Sequence, residues 1–148
     1  CKQDYSDFLK FHKEKNAAEA EKETMQDASL NLSINMGGAM LSIEADHWLK
    51  DGETITLLDQ EVRCILTPGH TVGGMCFYFS KAGMLFSGDT LFQESVGRTD
   101  FPGGSMSEIV RSIREKLFVL PDAVQVYPGH GLMTSIKNEK MFNPFAVE

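Results

Sequence analysis

Residues Glu61-Val62-Arg63-Cys64-Ile65-Leu66-Thr67-Pro68-Gly69-His70-Thr71 read as a β-strand that runs directly into a tight turn presenting one histidine. The first six alternate around β-branched residues, as a half-buried strand does. Pro68 then fixes φ and Gly69 lets the backbone turn sharply, so the imidazole of His70 is aimed from a rigid position. The same construction recurs downstream. Met84-Leu85-Phe86 leads into Ser87-Gly88-Asp89-Thr90, and Val124-Gln125-Val126-Tyr127 leads into Pro128-Gly129-His130-Gly131. A metal site needs several deprotonatable groups about 2 Å from an ion, and turns anchored on strands hold such groups better than flexible segments do. Two imidazoles and a carboxylate suit zinc, iron or manganese. The lack of thiolate spacing argues against a closed structural site, so an open catalytic one is expected.

Outward from these turns, Leu41-Ser42-Ile43-Glu44 and Thr54-Ile55-Thr56-Leu57-Leu58 are further strand candidates, with Asp51-Gly52 and Asp59-Gln60 as turns. Met75-Cys76-Phe77-Tyr78-Phe79 and Met84-Leu85-Phe86 flank Lys81-Ala82-Gly83, the pattern of a hairpin. Ser105-Met106-Ser107-Glu108 has capping-box form and opens a helix with Ile109, Val110, Ile113, Leu117 and Phe118 as its buried stripe, ended by Pro121-Asp122. Near the start, Tyr5, Phe8, Leu9 and His12 have helical spacing, and Lys13 to Glu23 reads as a solvated helical face.

The composition narrows the function classes. The chain has 148 residues, 14 Lys plus Arg against 21 Asp plus Glu, and a net charge of -7. That size fits one domain or a piece of one, and the acidic balance without a basic run excludes nucleic acid and anionic membrane surfaces as natural partners. No apolar run approaches a membrane span, and Cys1-Lys2-Gln3-Asp4 lacks signal-peptide form, so a cytoplasmic location is expected. Cys1, Cys64 and Cys76 suit buried thiols in a reducing compartment.

Four ordered motifs, T-P-G-H-T-x-G-G, S-G-D-T-L-F, G-R-T-D and Y-P-G-H-G, make the chain resemble the metallo-β-lactamase superfamily, within it the small glyoxalase II-like group, from about Asn31-Leu32-Ser33 to Asn143-Pro144-Phe145. The resemblance implies an α+β fold, the αββα four-layer sandwich, of which this chain supplies mainly the second half as a single partial domain over 1–148. It further implies that His70 ligates a first metal, His130 a second, and Asp89 bridges both. Two zinc ions are the implied cofactor, with iron or manganese as alternatives. The implied chemistry is hydrolysis, with a bridging water lowered toward a pKa of about 7 attacking an acyl carbon and Asp89 positioning it. A small-molecule thioester of the hydroxyacylglutathione kind, or a related ester, is the implied substrate.

One element of the family pattern is absent. The remaining ligands come from an H-x-H-x-D-H motif, and here Asp46-His47 stands alone, without H-x-H upstream, and is read as no ligand. Three ligands shared between two positions do not fix a dinuclear centre, so this chain alone is expected to bind metal weakly and turn over poorly. A second copy of the chain is a candidate cover for the exposed half-core. Arg98 and Asp100 read either as a surface ion pair or as site wall, Arg98 holding a substrate carboxylate and Asp100 orienting it. Tyr127, His12 and Cys64 read as structural. A lactonase or other ester hydrolase, a mononuclear iron persulfide dioxygenase, and a non-catalytic fragment are the competing readings.

Overall fold

The computed structural model describes residues 16–27 and 45–146. In chain order these form β1 (Asn16–Ala18), a 3-10 turn (Glu19–Glu21), α1 (Lys22–Gln26), β2 (His47–Leu49), β3 (Thr54–Leu57), β4 (Gln60–Leu66), β5 (Met75–Phe79), β6 (Met84–Gly88), β7 (Leu91–Phe92) and β8 (Ser95–Val96). There follow α2 (Met106–Ser112), continued by a π-helical turn (Ile113–Leu117), then β9 (Gln125–Pro128), β10 (Thr134–Ser135) and α3 (Ile136–Phe142). The expected strand at 41–44 and the helical spacing from Tyr5 to His12 lie outside the described residues.

The alternating residues of 54–88 build three successive antiparallel pairings, and β9 then adds parallel to β6, giving one mixed sheet in the order β10-β9-β6-β5-β4-β3. Because β4 and β6 each run antiparallel to β5, and β9 runs parallel to β6, the C-terminal ends of β4, β6 and β9 all point to one edge of the sheet. This topology brings the turns that carry His70, Asp89 and His130 together.

The period of two sorts the side chains. Ile65, Cys76, Leu85 and Val126 share one face with Ile109, Ile113, Leu117, Leu120, Val124 and Ile136 in a single buried core. The opposite face carries Phe77, Phe86 and Tyr127 in register, and Phe86 stacks on Tyr127 with ring centroids 5.3 Å apart. Tyr127 is thus a packing residue, as read from the sequence. Cys64 and Cys76 are buried, and burial pushes both thiols up to about 11, which leaves them unreactive at neutral pH.

The hairpin from Met75 to Gly88 and the apolar stripe of α2 form as expected, and Ser105 caps α2 by accepting from the Glu108 amide at 3.3 Å. The capping box is only half made. The Glu108 carboxylate pairs with Arg111, and the Ser105 amide donates instead to the Gly69 carbonyl at 2.8 Å. The helix stops before Pro121, through a Phe118 amide that reaches back to Ile113. The β3–β4 turn is Leu58-Asp59, both at positive φ, with Gln60 already in β4. The expectation of a solvated helical face over Lys13–Glu23 holds for Glu19–Glu23, which is helical and largely exposed, and is corrected at Asn16–Ala18. Asn16–Ala18 is a strand parallel to β2, with Ala18 buried, because pairing with 47–49 overrides the helix propensity of Ala.

Ile113 is fully buried at the centre of this core, whereas Val119 is 72% exposed. Ile113→Ala is expected to cost about 2–5 kcal/mol in urea unfolding and Val119→Ala no more than about 0.5 kcal/mol.

Candidate metal centre

The turn after β4 is fixed from several sides. The Thr67 amide donates to the Gly74 carbonyl at 2.6 Å, and the Ser112 hydroxyl of α2 donates to the Pro68 carbonyl at 2.9 Å. Gly69 sits at φ 141° with its Cα against Ile109, where any Cβ would collide with the helix backbone. The sequence therefore needs glycine here both for conformation and for space, and the result is that His70 is carried on the first turn of α2 as well as on β4.

Below the turn lies a buried hydroxyl contact. Thr67 Oγ1 and Thr90 Oγ1 are 2.8 Å apart, Thr67 Oγ1 lies 3.4 Å from Cys76 Sγ, and the Ser87 hydroxyl donates to the Leu91 carbonyl at 2.7 Å. Thr67 precedes His70 by three positions and Thr90 follows Asp89 directly. The bond therefore ties the His70 turn to the Asp89 turn in a low-dielectric setting where breaking it would leave a polar group unmet.

At the surface, Asp89 lies between the two histidines, one carboxylate oxygen facing each. His70 Nε2 is 3.6 Å from Oδ2 and His130 Nε2 is 3.5 Å from Oδ1. Both distances exceed a good hydrogen bond and suit a cation bonded to each partner at about 2 Å. The other nitrogen of His70, Nδ1, is 2.8 Å from the Arg98 carbonyl oxygen. A carbonyl only accepts, so Nδ1 carries the proton, and in the neutral form of the ring the Nε2 lone pair faces Asp89. Gly129 permits the close approach of the third turn, since a Cβ there would lie 2.8 Å from Asp89 Oδ1. The His70 side chain is 19% exposed and that of His130 80% exposed, so the two ends of the arrangement differ sharply in access to water.

The three side chains line a cleft of about 340 Å³ with Phe92, Gly97, Arg98 and Phe101. Phe101 meets the His70 ring edge-on at 5.2 Å, and the Arg98 guanidinium lies 4.5 Å over the Phe101 ring. Asp100 binds Arg98 through Nε and Nη2, both at 2.6 Å. This hydrogen-bonded pairing holds the Asp100 carboxyl down to about 2, although both groups are exposed. Arg98 thus belongs to the cleft wall and Asp100 stands behind it, leaving the Nη1 edge of the guanidinium for other partners.

Among the described residues no three His, Cys, Asp or Glu side chains enclose a single ion. His70 and His130 instead flank the Asp89 carboxylate on opposite sides, each facing a different oxygen. His47, in β2, lines a different cleft with Asn16, Trp48 and Glu53. Sequence reasoning did not single out Phe92 or Phe101 as cleft residues, nor the Arg98 carbonyl. Phe92 was visible as the last letter of S-G-D-T-L-F, whereas a backbone acceptor leaves no sequence signal.

The sequence model described as the metallo-beta-lactamase superfamily matches residues 5–130, starting earlier than the motifs themselves. Hydroxyacylglutathione hydrolase GloC of Haemophilus influenzae is 41% identical over 101 residues, covering 68% of this chain and 48% of its own length. The BLEG-1 B3 metallo-beta-lactamase structure superposes with a TM-score of 0.79 at 35% identity, over 90% of this chain and 65% of that one. TTHA1623 in a di-iron-bound form gives a TM-score of 0.72 at 29% identity, over 88% of this chain and 63% of that one. The chain spans about half the length of the curated relatives it matches, from 44% to 60% of the first four. With the family match over most of its length, and with the fold of those structures, the chain belongs to the metallo-β-lactamase superfamily.

Proposed function

We propose that this chain carries one side of a dinuclear metal centre of a hydrolase, with His70 as ligand at one position, His130 at the other and Asp89 shared between them. The observation that carries this is the Asp89 carboxylate placed between two imidazoles, one oxygen to each, at 3.6 and 3.5 Å. In the neutral Nδ1–H tautomer His70 turns its Nε2 lone pair toward the lone pairs of Asp89, an arrangement that a cation relieves. Zinc is the proposed metal, and iron is supported as an alternative by the di-iron form of TTHA1623. Each position takes further ligands from beyond these three side chains, which is why the chain by itself is proposed to bind metal weakly.

Bound metal supplies a nucleophile from water at neutral pH and polarises the acyl oxygen. The chain's own residues do the rest. The Arg98 carbonyl keeps the His70 ring in one tautomer, the Thr67–Thr90 contact holds the turns of His70 and Asp89 in register, and Phe92 and Phe101 give the cleft apolar walls. The open Nη1 edge of Arg98 offers a positive contact to an anionic part of the substrate. A thioester of the hydroxyacylglutathione class is the substrate we propose, supported by the likeness to GloC, and a related ester is the second choice.

Titration with Zn(II), followed by elemental analysis, tests the centre. His70→Ala and His130→Ala are each expected to remove one binding event and Asp89→Ala both, weakening affinity by at least about 100-fold; acid is expected to release the metal because the imidazoles must be neutral to ligate. Equal zinc binding in the parent chain and Asp89→Ala would refute the assignment. Where the whole gene product turns over a hydroxyacyl-glutathione thioester, Arg98→Met is expected to raise KM about tenfold with kcat changed by no more than about threefold, as lost uniform binding does. An unchanged KM would remove Arg98 from the substrate contacts, and consumption of oxygen with iron bound would favour the persulfide dioxygenase reading.

A further inference from the structure

Glu139 lies in α3, outside every motif that identified the family, and it is completely buried. Four neutral donors surround its carboxylate. Thr134 Oγ1 donates to Oε1 at 2.6 Å and Asn138 Nδ2 to Oε1 at 3.0 Å, while the Glu94 amide and Asn143 Nδ2 each donate to Oε2 at 2.9 Å. Among the described residues none of the ion pairs involves it. Burying a carboxylate without a cation is expensive, and a leucine would fill the same space, so its retention calls for a reason beyond packing.

The donors identify that reason. Glu94 is the second residue of the two-residue turn joining β7 to β8 and adopts φ 52°, the left-handed region that disfavours a residue with a Cβ. Its amide is held by Glu139, and the next carbonyl, of Ser95, is held by Asn143 Nδ2 at 3.1 Å, itself bound to Glu139. One arm of this hairpin carries Phe92, whose ring meets His130 edge-on at 6.2 Å. The other arm runs through Val96 and Gly97 to Arg98, whose carbonyl takes the Nδ1 proton of His70. Thr134, the fourth partner, opens β10 four residues after His130.

We infer that Glu139 is a positioning residue standing behind both imidazoles: it fixes the β7–β8 hairpin so that the Arg98 carbonyl holds His70 in the Nδ1–H tautomer, and it fixes the exit of the His130 turn through Thr134. The value of this for catalysis rests on the metal-centre reading, but the positioning itself does not. The geometry requires a hydrogen-bond acceptor at Oε2, so Glu139→Gln, with its carbonyl turned to Glu94, preserves the effect.

Nitrogen-15 NMR of the histidine rings in the metal-free chain at alkaline pH tests the inference without any metal. The parent is expected to show His70 mainly as Nδ1–H. Glu139→Leu is expected to lower that share at least about twofold and Glu139→Gln to restore it, whereas Leu120→Ala, a core truncation before β9 at the strand end away from the cleft, leaves it unchanged. Should Glu139→Leu fail to fold, the isosteric Thr134→Val, which frees the carboxylate to rotate, is expected to shift the tautomer in the same direction. An unchanged His70 tautomer in the folded variant, or an equal shift in Leu120→Ala, overturns the inference. Failure of the chain to bind zinc would count against the metal centre and leave this result standing.

Discussion

The parallel pairing of β6 with β9 is the constraint on which the site depends. The four strands β3 to β6 form a simple antiparallel meander, in which only alternate strands end on the same side. β4 and β6 therefore share one edge, and a third turn joins them only if the chain crosses over through α2 and returns in the direction of β6. The register Leu85 with Val126 and Phe86 with Tyr127, broken by a bulge before Gly88 and Pro128, then places the Pro-Gly-His turn beside Gly88-Asp89. The Gly129 amide donates to the Gly88 carbonyl at 2.8 Å, which extends the pairing to the threshold of the site.

Two kinds of packing stiffen that edge. The apolar core between the sheet and α2 sets the height of the His70 turn, because Gly69 is pressed against Ile109 and Ser112 ties Pro68 to the same helix. A layer of buried polar contacts then sets lateral spacing, with Thr67 on Thr90 beneath His70 and Asp89, and Glu139 behind the β7–β8 hairpin and the exit of the His130 turn. Such contacts are directional where apolar packing is not, and among the described residues every buried side-chain polar atom has a partner. The outcome is a rigid frame that holds an imidazole, a carboxylate and an imidazole in line while leaving the cleft above them open.

Much of this was legible in the sequence. The strands expected at 54–58, 61–66, 75–79 and 84–86, the Lys81-Ala82-Gly83 turn, the cap at Ser105 and the three Gly-bounded turns are local signals, and each maps to where the structure has it. The juxtaposition of His70, Asp89 and His130 came from resemblance, since no spacing rule places residues 19 and 41 positions apart at one edge. What escaped were features with long-range causes. The strand at Asn16–Ala18 exists only through its pairing with His47–Leu49, and β7–β8 is too short for periodicity and turns on a left-handed glutamate where a glycine would have announced it. β10 and α3 follow a turn that drew attention only for its histidine. Glu139 reads as an ordinary surface charge until the fold buries it.

In the proposed centre each metal position has one imidazole and one carboxylate oxygen from these three side chains and takes further ligands from beyond them. The central claim is therefore about sharing: Asp89 stands between two metal positions, with one position on the His70 side and one on the His130 side. Anomalous diffraction from crystals soaked in a zinc salt, recorded on both sides of the zinc edge, addresses it directly. Two peaks flanking the Asp89 carboxylate, one within bonding distance of His70 Nε2 and the other of His130 Nε2, are the predicted result. A single peak bound by both histidines, or zinc found only away from this cleft, would contradict it.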